Sequence, residues 1–251
     1  MEKVRSLEPL DELFDRAKAK DEFEFICTLL RVRGMQSEGW DSLGESWDLI
    51  NQLLAQIQAP IEQVFKIRLI LFLYCHATEM HDLYHIIGNL LLVSLGERYH
   101  FEPFAADVRG AKTAATKPSK KVERIRSWSE ESGLQAVGEL LDYMLIREVR
   151  NAFFHSDYVI FGDEFRIVRG EGIKIDNVVT KAIKFEWLLP RLQLGINTVL
   201  RVIELVRYHQ TSYKEVKILP ARILQGGGLE DVELIIDNVH GVVGFRTPTK
   251  R

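Results

Sequence analysis

Arg150-Asn151-Ala152-Phe153-Phe154-His155, followed directly by Ser156-Asp157-Tyr158, is the stretch on which the reading of this chain turns. Ahead of it, Leu134, Val137, Leu141, Met144, Leu145 and Val149 form an apolar stripe that predicts a helix over 133–154. Behind it, Tyr158-Val159-Ile160-Phe161, the turn Gly162-Asp163 and Phe165-Arg166-Ile167-Val168 predict a β-hairpin over 158–168. The stretch thus closes one element and opens another. Backbone groups are unpaired at such a boundary, and side chains can converge on a ligand. Guanidinium, amide and imidazole together suit a phosphate: a fixed cationic fork, an orienting amide and a group that exchanges protons near neutral pH.

Upstream, Leu10, Leu13, Phe14, Phe23, Phe25 and Leu29 are expected to be the buried points of short helices over 8–33, and Gly34 to Gly44 reads as a loop. Ser42 with Glu45 has the form of a capping box. Trp47, Ile50, Leu53, Leu54 and Ile57 then recur at helical spacing until Pro60 breaks the run. Ile61 to about Arg98 predicts one long helix or two abutting ones, apolar on most sides, which places it in the middle of a bundle. Gly96 and Pro103 fit its end. Between 109 and 126, Arg109, Lys112, Lys117, Lys120, Lys121, Arg124 and Arg126 stand against Glu123 alone, which predicts a flexible basic loop leading into a helix. It is either a solvated linker or, through Lys117, Lys120, Lys121 and Arg124, a contact for a phosphate backbone.

Downstream, residues 176–210 are expected to return to helix, with Leu192, Ile196, Val199, Ile203 and Val206 on one face and Pro190 as a break. The tail shows strand-like stretches at Val216–Leu224 and Val232–Ile236, with Gly226-Gly227-Gly228 between them and a further short strand at Val242–Phe245. The expected class is mainly α, with a helical domain over 1–210 and a small β-rich appendage over 211–251.

A hydrophobic content of 46% with 27% charged residues is ordinary for a soluble globular protein, and 251 residues bury a real core. A net charge of −3 argues against a wholesale basic surface, so any nucleic-acid contact must be local. Cys27 and Cys75 lie in apolar helix-like runs and give no disulfide framework, consistent with a reducing cytoplasm. The N-terminus lacks the apolar core of a signal peptide. The most membrane-like segment, Ile67 to Leu95, is interrupted by His76, Glu79, His81, Asp82, His85 and Asn89 and does not read as a span. The expectation is a cytoplasmic protein without membrane contact.

Arg150, Asn151 and His155 match position for position the signature of the HEPN superfamily: Arg, a polar residue, three variable residues, then His. The chain resembles these small α-helical domains loosely over 45–210, with two long apolar helices before the motif and another after it. The resemblance implies a HEPN-like bundle and a homodimer. It also implies a metal-independent endoribonuclease that uses no cofactor, often of toxin or phage-defence type, with RNA as substrate and a cognate antitoxin or defence protein as partner. Some members have lost catalysis, which leaves a second reading: a silent module that binds nucleotide, RNA or protein. The toxin branch paired with a nucleotidyltransferase antitoxin carries Tyr two positions after the His; here Asp157 stands there and Tyr158 comes one later. The β-like tail is also foreign to the usual helical domain.

Five residues at about 100° each put Arg150 and His155 about 140° apart on an ideal helix. Either the helix ends or bends between them, or Arg and His from two protomers meet across a two-fold axis; the resemblance favours the second. In that reading His155 acts as general base or acid while an RNA 2′-hydroxyl attacks the adjacent phosphorus, Arg150 stabilises charge on the phosphoryl oxygens and Asn151 orients the phosphate or the imidazole. Glu79 is expected to face the motif and orient Arg150. Tyr158 either contacts substrate or packs in the hairpin, and Asp157 either caps the turn or tunes His155. The bland alternative is a helix end whose Arg and His pair with nearby backbone or carboxylates. A competing site lies at Cys75 to His85, where His81 and His85 have metal-ligand spacing and Asp82 stands where a zincin carries Glu. No third ligand is evident, and the expectation is that these polar residues pair across the bundle rather than hold a metal.

Overall fold

A computed structural model describes residues 6–31, 41–175, 177–223 and 228–248 of the chain. Helices α1 (Glu8–Lys20) and α2 (Glu22–Leu30) meet at Asp21, whose carboxylate accepts from the Glu24 N–H at 3.1 Å and caps α2. Of the loop expected over 34–44, residues 34–40 lie outside the described residues. Helix α3 (Ser42–Gln58) is capped by Asp41, which accepts from Gly44 N, rather than by the expected Ser42–Glu45 box. Ser42 Oγ instead donates to Asp82 Oδ2 at 2.5 Å, a partner remote in sequence that outbids the local one.

The long apolar run folds as two abutting helices, α4 (Gln63–Glu79) and α5 (His81–Ser94), separated by the extended Met80. Almost every residue of α5 is buried, as expected of a central helix. It ends where predicted: Gly96 takes φ +85°, and Gly96 N and Glu97 N bond back to the Val93 and Leu92 carbonyls. The basic segment leads into a helix as expected. It becomes helix α6 (Pro118–Glu131) at Pro118, and Arg109 pairs with Glu97 and Glu131.

The single helix predicted over 133–154 is two, α7 (Gln135–Met144) and α8 (Arg147–Phe154). The fully buried Tyr74 of α4 sits in the break, its hydroxyl donating to the Met144 carbonyl (2.8 Å) and accepting from the Ile146 N–H (2.7 Å). The break turns α8, and the motif with it, onto α4.

Strands β1 (Tyr158–Phe161) and β2 (Glu164–Ile167) form the expected hairpin, antiparallel and in register from Tyr158↔Ile167 to Phe161↔Glu164. The helix predicted from 176 starts only at Phe185. Strands β3 (Ile173–Ile175) and β4 (Val178–Thr180) pair with each other, and β5 (Ala182–Lys184) joins β2. The β-branched residues of this segment prefer the pleated backbone. Helix α9 (Phe185–Ser212) then runs through Pro190 without a break, because that ring lies on the solvent side near the helix start and removes only one backbone bond.

Strands β6 (Ile218–Ala221), β7 (Glu230–Asp237) and β8 (Gly241–Arg246) complete an antiparallel sheet in the tail; Leu224 and Gly226-Gly227 lie outside the described residues. This sheet packs on α2 and α9, with the Phe23 and Phe245 rings 5.0 Å apart. Gly241 takes φ +75° so close to α9 that a Cβ would meet the Gln210 carbonyl at 2.0 Å, so only glycine fits. The class is mainly α with small antiparallel sheets. No helix among the described residues is long and apolar enough to cross a membrane.

Candidate functional site

Helix α8 carries the motif and buries Val149 and Ala152. That leaves Arg150 half-buried towards α4, and Asn151 and His155 exposed. Arg150 Nη1 lies 2.6 Å from Glu79 Oε1 at the end of α4, and Nη2 donates to Asn151 Oδ1 at 3.0 Å. The Glu79 contact is an ion pair without the alignment of a hydrogen bond, and Arg150 Nε is buried without a hydrogen-bond partner among the described residues. Glu79 is the last residue of α4, directly before the break at Met80. Glu79 thus faces the motif, as expected.

His155 is the C-cap of α8. Ser156 follows with φ +56°, and the Ser156 and Asp157 N–H groups bond back to the Phe153 and Ala152 carbonyls. Because the helix runs uninterrupted to Phe154, the 140° divergence of Arg150 and His155 is retained. No hydrogen bond or ion pair joins them among the described residues. The single chain carries both groups but does not gather them.

The surrounding residues divide. Tyr158 is stacked between Phe153 (5.3 Å) and Phe165 (5.2 Å), which gives it a packing role in the hairpin. Asp157 pairs with Arg169 at 3.7 Å. Of the four basic residues offered to a phosphate backbone, Lys117 and Lys120 are exposed, the latter against Glu123 at 2.8 Å. The other two correct the expectation. Arg124 is occupied by the Phe104, Ala105 and Thr113 carbonyls. Lys121 is buried, its Nζ 3.1 Å from His81 Nδ1, because it shares a face of α6 with Val122, Ile125 and Trp128.

His81 and His85 face each other with ring centres 5.8 Å apart. His81 meets Lys121, and His85 Nε2 lies 3.7 Å from Glu102. Asp82 accepts from Ser42 and lies 3.8 Å from Arg31. These side chains pair across the bundle. Among the described residues no three His, Cys, Asp or Glu side chains are placed to hold a metal ion. Cys27 and Cys75 are buried free thiols, and burial pushes Cys75 up to about 12.

Comparison with protein-family models, with curated proteins and with solved structures finds no match for this chain.

Proposed function

We propose that this chain is a metal-independent endoribonuclease of HEPN type, cleaving RNA at a composite site that a homodimer assembles from Arg150 of one protomer and His155 of the other. The observation that carries this reading is a half-buried guanidinium, held by Glu79 and Asn151, on the same short helix as an exposed imidazole that points elsewhere. A two-fold axis beside α8 turns that divergence into convergence, since it presents each patch to its own copy. The side of α4 that carries Glu79 supports a partner there. Phe65, Phe72 and Glu79 recur every seven residues, and the two phenyl groups are 48% and 39% exposed. Phe154, beside His155, is 51% exposed.

In the reaction His155 takes the proton of the 2′-hydroxyl as that oxygen attacks phosphorus, and the 5′-oxygen leaves and is protonated by water. The products are a 2′,3′-cyclic phosphate and a 5′-hydroxyl. Arg150 neutralises charge growing on the non-bridging oxygens, and Asn151 orients the phosphate. Glu79 positions Arg150.

The test is incubation of purified wild-type and His155→Ala protein with total RNA, with and without EDTA, followed by analysis of the new ends. Cleavage that survives chelation, leaves cyclic phosphate and disappears in His155→Ala is expected. A variant that cuts at the wild-type rate, or ends of another chemistry, overturns the reading. Binding of RNA without cleavage by the wild-type protein would select the catalytically silent module instead.

A further inference from the structure

Across α8 from Arg150, a cleft of about 770 Å³ opens between the α7–α8 break, the β3–β4 hairpin and the first turns of α9. That volume suits a nucleotide-sized ligand. One wall is a cation–π cluster: the Arg191 guanidinium carbon lies over two rings, 3.7 Å from the centre of Trp187 and 4.7 Å from that of Tyr143. Arg191 Nη1 donates to the Trp187 carbonyl at 2.9 Å, which fixes the cluster to α9. Glu148 and Glu171 also line the cleft. Arg147 bridges them, 3.1 Å from the Glu148 carboxylate and 3.9 Å from that of Glu171, and so gathers two carboxylates on one side.

We propose that this cleft holds a guanine base of the RNA substrate, with its plane against the Trp187–Arg191–Tyr143 cluster and its imino and amino N–H groups on Glu148 and Glu171. Aromatic and guanidinium planes accept any base by stacking. The carboxylates discriminate. They only accept hydrogen bonds, and guanine alone presents two neighbouring donors, N1–H and N2–H₂, on its Watson–Crick edge. Glu148 also stands seven residues before His155, so the two fall within about 20° of each other on α8 and about 10 Å apart along its axis. A base seated at Glu148 therefore lies on the side of α8 that carries the imidazole. This inference rests on the RNA-cleaving reading for the identity of the ligand, and its test is separate.

Guanosine, adenosine, cytidine and uridine 5′-monophosphates are titrated into the wild-type chain and into His155→Ala, following tryptophan fluorescence. The guanine nucleotide is expected to bind at least about fivefold more tightly than the others, the low end of what a bidentate base contact confers. Glu148→Gln and the solvent-side Glu171→Gln should each erase that preference. Trp187→Leu should abolish the optical response, and melting curves verify that each variant folds. Equal affinity for the four nucleotides, or no binding, overturns the proposal even in a protein that cuts RNA. Tight guanine binding in a protein that leaves RNA intact upholds the cleft and refutes the catalytic reading instead.

Discussion

Arg150 Nη1 and Glu79 Oε1 lie 2.6 Å apart, joining the helix that bears the motif to the end of a helix packed in the bundle. The guanidinium is the buried member of the pair: its side chain is 14% exposed, against 40% for Glu79. Removing the carboxylate strands a charge that is largely out of water, whereas removing both partners does not. Glu79→Gln is expected to cost about 1 kcal/mol, discounted for the solvent that reaches Glu79, and to lower Tm by about 2–4 °C. Adding Arg150→Met should recover part of that loss. Thermal melts of the two single variants and the double complete the cycle, and strictly additive losses would show the pair to be uncoupled.

Arg150 and His155 diverge within one chain, so the proposed composite site makes a prediction about mixed dimers. Arg150→Ala and His155→Ala should each lower cleavage by about 10²-fold or more on its own. Co-refolded together, they form heterodimers in which one of the two sites draws its Arg and its His from unaltered sequence. Activity should return to about half that of wild type per heterodimer. If both groups acted from the same chain, every site in the heterodimer would lack one of them and the mixture would stay silent.

Much of this was legible because the hydrophobic period changes at His155. Before it Leu134, Val137 and Leu141 recur at helical spacing; after it come two short runs rich in β-branched and aromatic residues on either side of the turn at Gly162. Glu79 was legible as a carboxylate interrupting an apolar run, which needs a partner. The α7–α8 break was not, since Leu145-Ile146 holds neither glycine nor proline; it is imposed by Tyr74, some seventy residues away. Strands β3 and β5 are three residues each, too short to register against the helix that follows them. Lys121 carried a signal that the count of basic residues concealed, because its spacing to Val122, Ile125 and Trp128 puts it on the buried face of α6. The Tyr143–Arg191–Trp187 cluster joins residues from two helices, and no local pattern announces it.

The Tyr74 hydroxyl serves two backbone groups that have left their helices. Burial pushes its phenol well above the ordinary tyrosine range, so it stays protonated and able to donate. Tyr74→Phe strands the Met144 carbonyl and the Ile146 N–H in the core at once. The expected cost is about 2–3 kcal/mol, seen as a fall in Tm of roughly 5–10 °C. Amide exchange should quicken first at the start of α8. A variant as stable as wild type would mean that water or another group replaces the hydroxyl.

Lys121 makes a prediction in pH. Its Nζ meets His81 Nδ1 at 3.1 Å and lies over the rings of Tyr84 (5.7 Å) and Phe104 (5.5 Å). Burial lowers its pKa from the ordinary 10.5, while Glu102, Glu79 and Asp82 favour the charge without any of them forming an ion pair with it among the described residues. In the window between the lowered folded value and 10.5 the unfolded chain binds more protons than the native one, so the lysine's contribution to stability rises with pH. Below that window both states are protonated and the penalty of burying the charge is felt in full. Lys121→Met removes the penalty and should stabilise the protein at neutral pH by about 1 kcal/mol, a Tm gain of about 2–4 °C. The gain should shrink as pH climbs towards 10.5, where the wild-type lysine is neutral in the fold. Melts of both proteins from pH 7 to pH 10 read this directly: a variant less stable at pH 7, or a gap that does not change with pH, would show that the cation is fully compensated where it lies.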